Sequence, residues 1–214
     1  MEILDQSVAA EVADKLLEIQ AIRLQPDKPF TWASGWKSPI YCDNRLSLSF
    51  PNVRNLIKEQ LVRSVCHFFP EAEAIAGVAT AGIPQGALIA NDLGLPFIYV
   101  RSKAKGHGME NMIEGKVVPG QKVVVVEDLI STGGSSLKAV QDLRDAGFEV
   151  LGMVAIFTYG FDIAAKNFGD ANVKLICLSN YESLLPRAVQ QNYIDDKALK
   201  SLSEWRKDPG SWNP

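Results

Sequence analysis

The sequence predicts an α/β fold: a mostly parallel sheet covered by helices on both faces, with a smaller cap made from an N-terminal strand-and-turn piece and the C-terminal helices. Three observations predict it. Short apolar runs such as Val123–Val126 are continuous rather than alternating, as in strands buried on both faces. Segments with apolar residues at helical spacing separate these runs, and strands alternating with helices imply a parallel sheet with crossover helices. The stretch from Phe30 to Pro51 breaks the alternation and is rich in aromatics, Ser, Gly and Pro.

In chain order, Val8, Val12, Leu16 and Ile19 place an amphipathic helix over residues 8–22. The Phe30–Pro51 stretch reads as short strands and turns. Val53, Leu56, Ile57, Leu61 and Val65 mark one face of a second helix. Ala74–Val78 is a strand, Ile83–Asp92 a helix stopped by Gly94, and Phe97–Val100 another strand. Residues 102–116 are polar. Lys122–Glu127 is the central strand, followed by a helix ending at Gly147; Val150–Phe157 and Val173–Leu178 are later strands. From about Asn180 the chain reads as amphipathic helix, with Ile194, Leu199, Leu202 and Trp205. The expected division is an N-terminal helix and hood over 1–50, a binding core over 51–180 with a mobile lid at 101–116, and C-terminal helices over 181–214 packing on the core or hood.

The 214 residues are 47% hydrophobic with a net charge of −3, enough for a real core and no global basic field for nucleic acid. No run approaches the ~18 consecutive apolar residues of a membrane span. The start, Met1-Glu2-Ile3-Leu4-Asp5, lacks the basic region of a secretory signal. Cys42, Cys66 and Cys177 form no metal or redox spacing, so a reducing, cytoplasmic setting is expected.

The most informative segment is Val123–Ser136. A buried strand leads to two adjacent acids, Glu127 and Asp128, then to Leu129, Ile130 and a small hydroxyl- and glycine-rich loop, Ser131-Thr132-Gly133-Gly134-Ser135, that opens a helix. Carboxyl ends of parallel strands form the ligand crevice, and free N–H groups at a helix start bind anions. Acids would repel the phosphate that such a loop attracts, but they accept hydrogen bonds from paired hydroxyls. The segment therefore reads as a ribose 5-phosphate site. It is neither a P-loop, lacking GxxxxGK[ST], nor a dinucleotide fingerprint, lacking GxGxxG.

Three further segments each carry two readings. Arg101, Lys103, Lys105 and His107 recur with period two, so an extended backbone puts them on one face; the segment is an exposed loop or a lid over a polyanion. Ala79-Thr80-Ala81-Gly82 is a plain strand–helix turn or a second anion-approaching loop. Phe30–Arg45 is a surface β-ribbon or a pocket for a planar ring.

Together these segments resemble the type I phosphoribosyltransferases, in their orotate branch. The Val123–Ser136 segment is similar to that family's phosphoribosyl-diphosphate (PRPP) motif. The Lys-x-Lys-x-His-Gly run at 103–108 and the Ser-Gly-x-x-Ser-Pro-x-Tyr run at 34–41 resemble the orotate branch. The resemblance implies transfer of ribose 5-phosphate from PRPP to orotate, giving orotidine 5′-monophosphate and pyrophosphate. It implies that Glu127 through Ser135 hold PRPP, that Thr80 and Ala81 lie under the pyrophosphate, and that Arg101, Lys103, Lys105 and His107 bind it. Lys103, Lys105, His107 and Asp128 are then the catalytic candidates. Ser131, Tyr41 and Cys42 would face orotate, with Lys37 or Arg45 as candidates for its carboxylate. Mg²⁺ would be carried by PRPP, with Asp128 the nearest protein group, and a homodimer would share lid residues between subunits. The alternatives are a transferase for another base and a PRPP sensor without turnover.

Overall fold

A computed structural model describes residues 2–32, 35–102 and 112–212 of the chain. Strand β1 (Glu2–Ile3) is followed by helix α1 (Gln6–Glu18), capped by Asp5, whose Oδ1 accepts from the backbone N–H groups of Ser7 at 2.7 Å and Val8 at 3.3 Å. The expected helix over 8–22 ends earlier. Gln20 takes a left-handed backbone (φ 56°), and Ile22–Leu24 becomes strand β2, with Ile22 and Leu24 buried and Arg23 between them half-buried. Strands β3 (Phe30–Thr31), β4 (Lys37–Ser38) and β5 (Ile40–Cys42) build the hood as two small antiparallel ribbons, β2–β5 and β3–β4, followed by a 3-10 turn over Asn44–Ser49.

Helix α2 (Pro51–Phe68) starts on a proline, whose fixed φ suits the first helical position. Strand β6 (Ala74–Val78), helix α3 (Gly82–Leu93) and strand β7 (Phe97–Val100) follow, with Gly94 ending α3 at φ 65°. Then come β8 (Ile113–Glu114), β9 (Lys122–Ile130), α4 (Gly134–Asp145), β10 (Glu149–Thr158) and α5 (Asp162–Asp170). The chain closes with β11 (Leu175–Asn180), α6 (Tyr181–Gln190) and α7 (Asp196–Lys207).

Seven strands form the main sheet in the order β1-β11-β10-β9-β6-β7-β8, parallel except for β8 against β7. The four valines of β9 are fully buried and alternate between two cores. Val124 and Val126 face the side covered by α1, α2, α3 and α6; Val123 and Val125 face the side covered by α4 and α5. This two-sided burial explains the unbroken apolar run. The β9 ladder is asymmetric. Its pairing with β6 stops at Val126, whereas its pairing with β10 continues to Ile130. The strand thus outruns its expected end at Glu127 along one edge only.

The C-terminal helices are fastened to the hood by aromatic packing. Trp205 of α7 is fully buried among Trp32, Tyr159, Phe161 and Tyr181, at ring-centroid distances of 5.5, 5.8, 5.5 and 5.7 Å. Its indole Nε1 donates to the Lys37 carbonyl at 3.2 Å.

Candidate active site

The strand order reverses between β6 and β9: from β6 the chain winds outward to β7, and from β9 it winds the other way through β10 to β11. In open α/β sheets the ligand crevice lies at such a point, above the carboxyl ends of the strands. Two loops meet there, residues 79–82 after β6 and 127–133 after the β6-paired part of β9. Their contact is backbone on backbone. A β-carbon at Gly82 would sit 2.3 Å from the Val126 carbonyl oxygen, and one at Gly77 would sit 2.9 Å from the Gly82 carbonyl oxygen. The first loop holds Thr80 and Ala81, with a cis peptide bond at Ala79–Thr80.

Glu127 and Asp128 sit where β9 has lost its β6 neighbour. Glu127 is buried, and both of its carboxylate oxygens have partners: Oε1 accepts from the Asp128 N–H at 3.0 Å and Oε2 from Ser136 Oγ at 3.1 Å. Burial, and then the adjacent Asp128 charge, push the Glu127 carboxyl up to about 8. Burial also raises Asp128, opposed by its link to Glu127 and by the positive charge of Arg45. Burial thus leaves the pair short of compensating positive charge, which a cation accompanying a sugar diol would supply.

The loop 131–135 is shaped by what surrounds it. Gly133 adopts φ 82°, and a β-carbon there would meet the Phe168 ring at 2.6 Å. Asn167 Nδ2 donates to the Thr132 carbonyl at 3.0 Å. The leading N–H groups of helix α4 have no intrahelical partners and no side-chain cap, and Gly134 and Ser135 there are exposed. A helix start of this kind is able to receive an anion, and it stands one loop away from two carboxyls.

On the hood side, Tyr41 is half-buried under the Arg23 guanidinium, which lies 5.0 Å from its ring and 5.3 Å from that of Phe30. Cys42 Sγ lies 3.3 Å from Asn44 Oδ1, and Asn44 Nδ2 donates to the Asp128 carbonyl at 2.7 Å. Arg45 makes a two-pronged ion pair with Asp43, at 2.7 and 2.9 Å. Lys37 Nζ donates to Thr31 Oγ1 at 2.9 Å. The two cations considered for the orotate carboxylate therefore both have partners within the hood. Arg101 pairs with Glu114 at 3.2 Å; Lys103, Lys105 and His107 lie outside the described residues. A separate cavity of about 470 Å³ is bounded by Thr132, Phe161, Tyr181 and Arg206. Neither acid lines it.

The site draws in residues that sequence reasoning passed over. Ser136 belongs to the motif but looked like plain helix. Asn167 and Phe168 reach the site from a distant element with no local pattern to mark them, and Asn44 lies in the singled-out Phe30–Arg45 segment but was given no role of its own.

Residues 51–190 match the phosphoribosyl transferase domain family. The chain is similar to the orotate phosphoribosyltransferase of Cytophaga hutchinsonii, 62% identical over 202 residues that span 94% of this chain and 97% of the relative. It is similar to the orotate phosphoribosyltransferase of Listeria innocua, 54% identical over 96% of this chain and 99% of that one. The crystal structure of the orotate phosphoribosyltransferase from Aeropyrum pernix superposes with a TM-score of 0.74 at 27% identity, covering 86% of this chain and 99% of that one.

Proposed function

This chain belongs to the phosphoribosyltransferase family, and from that premise we infer that it transfers a 5-phosphoribosyl group from PRPP to orotate, releasing pyrophosphate, as an orotate phosphoribosyltransferase of pyrimidine biosynthesis. The observation that carries the reading is the acid pair of buried Glu127 and half-buried Asp128 standing beside the uncapped start of α4. A ribose phosphate is the group that satisfies both at once, with hydroxyls on the carboxyls and phosphate on the N–H groups.

In this reading the loop from Ser131 to Ser135 grips the 5-phosphate, and Leu129 and Ile130 bring the backbone there. Glu127 and Asp128 accept from the ribose hydroxyls. Thr80 and Ala81 offer backbone N–H groups to the pyrophosphate. Arg101, Lys103, Lys105 and His107 close over that group and neutralise the charge it gains as its oxygen leaves the anomeric carbon. The orotate nitrogen forms the new bond to that carbon, and its proton goes to the lid or the leaving group, with His107 or Lys105 the proton carrier. Asp128 stabilises the positive charge that the ring develops. Ser131 and the backbone at Tyr41 and Cys42 hold the orotate ring, and Lys37 or Arg45 meets its carboxylate by leaving its hood partner. Burial pushes the Cys42 thiol well above its ordinary range, so it stays protonated and serves no nucleophilic step.

Among the described residues no three metal-ligating side chains cluster, and the oxygens of Glu127 already have partners. A donor set of this kind suits Mg²⁺ that arrives on PRPP oxygens, with Asp128 its nearest protein group. When bound, the ion supplies charge neutralisation on the pyrophosphate. A homodimer sharing its lids and a cytoplasmic location complete the proposal; among the described residues no helix is long and apolar enough to cross a membrane.

A base panel tests the reading. With PRPP and Mg²⁺, orotate is consumed while uracil, adenine and guanine are not. Preference for another base overturns the orotate assignment and leaves the PRPP site standing; PRPP binding without turnover of any base marks a sensor.

A further inference from the structure

We propose that Asn44 is a positioning residue that fixes the spacing between the hood strand facing the base and the acid pair facing the ribose, and so the alignment of the two reacting atoms. The proposal rests on the phosphoribosyl-transfer reading above and adds a residue to it.

Asn44 is 1% exposed and opens the 3-10 turn directly after β5. Its amide is held at both ends. Nδ2 donates to the Asp128 carbonyl at 2.7 Å, joining residues 84 apart in sequence, while Oδ1 accepts from the Cys42 thiol at 3.3 Å. This assignment is forced, because only the NH₂ group can meet a carbonyl and only the oxygen can accept from a thiol. The Asn44 carbonyl in turn accepts from Ser47 Oγ at 2.6 Å, and Ser47 lies 3.5 Å from Gln85 Nε2 on α3. The turn is thereby moored to the helix that begins at the 79–82 loop.

The consequence is geometric. Tyr41 and Cys42 stand on the base side, and Asp128 stands on the ribose side. The bond made in the reaction spans the gap between them. The Asn44 amide bridges the same gap on the protein side, with its nitrogen on one wall and its oxygen on the other. Loss of the bridge therefore disturbs the alignment of two bound substrates more than the binding of either alone.

The test is Asn44→Ala, read as kcat alongside PRPP affinity measured by calorimetry without orotate. A misplacement of about 1 Å costs about 10²-fold in rate, so kcat falls by about 10- to 100-fold while PRPP affinity holds. Asn44→Asp, which turns a carboxylate on the Asp128 carbonyl, loses more. Asn44→Ser, whose shorter side chain no longer reaches the Asp128 carbonyl, shows the same split between kcat and PRPP affinity. An Asn44→Ala protein with unchanged kcat, or one whose PRPP affinity falls in parallel with kcat, overturns the proposal. If Asn44→Ala fails to fold, Asn44→Ser decides, and unchanged kcat there overturns it. The unaltered protein runs alongside: absence of orotate turnover there would sink the functional reading instead.

Discussion

Gly82 touches Val126 so closely that any side chain at position 82 would begin 2.3 Å from the Val126 carbonyl oxygen. This contact sets the two ligand loops side by side at the point where the sheet reverses. Gly82→Ala forces backbone apart on one side or the other. It is expected to cost about 1–3 kcal/mol, the range for overpacking, and to lower activity further by separating the loops. Gly169→Ala is the control, since nothing lies within 4 Å of its added carbon. Helix α5 should gain about 0.5–1 kcal/mol from that change. Urea unfolding of both variants checks the pair.

The raised Glu127 carboxyl gives a pH prediction with a definite sign. Its ordinary value is 4.5 and its folded value about 8, so between those limits the folded state holds a proton that the unfolded state has lost. Its contribution to stability is present below about 4.5 and is lost as pH rises toward 8. PRPP binding brings donors and cationic charge to the pair, favours the ionised form and releases protons. Affinity for PRPP should therefore rise with pH across this window. Calorimetry in buffers of differing ionisation enthalpy reads the proton release directly; proton uptake would contradict the assignment.

Asp128→Asn should weaken the use of PRPP, because the ribose hydroxyls lose a charged acceptor. The expected reading is a raised KM for PRPP together with a lowered kcat. An unaltered dependence on PRPP concentration would remove Asp128 from the site.

Lys105→Ala should act on rate, not on orotate binding. Removing one preorganised charge donor typically costs about 10²–10³ in kcat. Unchanged turnover would exclude the segment as a lid.

Trp205→Ala removes a fully buried ring and the indole donor to the Lys37 carbonyl. A loss of about 3–5 kcal/mol is expected for an aromatic truncation in a core. Because Trp205 also packs on Trp32 of the hood, orotate KM should rise more than PRPP KM.

The strands at Ala74–Val78 and Phe97–Val100 were legible to the residue because each is a short, uninterrupted apolar run. The loop after Glu127 was legible because acids, glycines and hydroxyls stand together in one segment. Less of the rest could be read. β1 and β8 are two-residue edge strands that exist only through their neighbours, and α5 is short. The end of α1 turned on one left-handed residue, Gln20. Where β9 ends depends on which neighbour is asked, a property of the sheet that no local pattern carries. Lys37 and Arg45 were candidates for the orotate carboxylate through the resemblance, and each finds a partner a few residues away. Asn44 is the reverse case: a single unremarkable amide whose partner lies across the fold.

The measurement that tests the central claim most directly is orotate consumption followed by ultraviolet absorbance, with PRPP and Mg²⁺ present and then each omitted. The account predicts loss of orotate that requires both, matched by the formation of orotidine 5′-monophosphate and pyrophosphate. Orotate left intact under the complete mixture would contradict it.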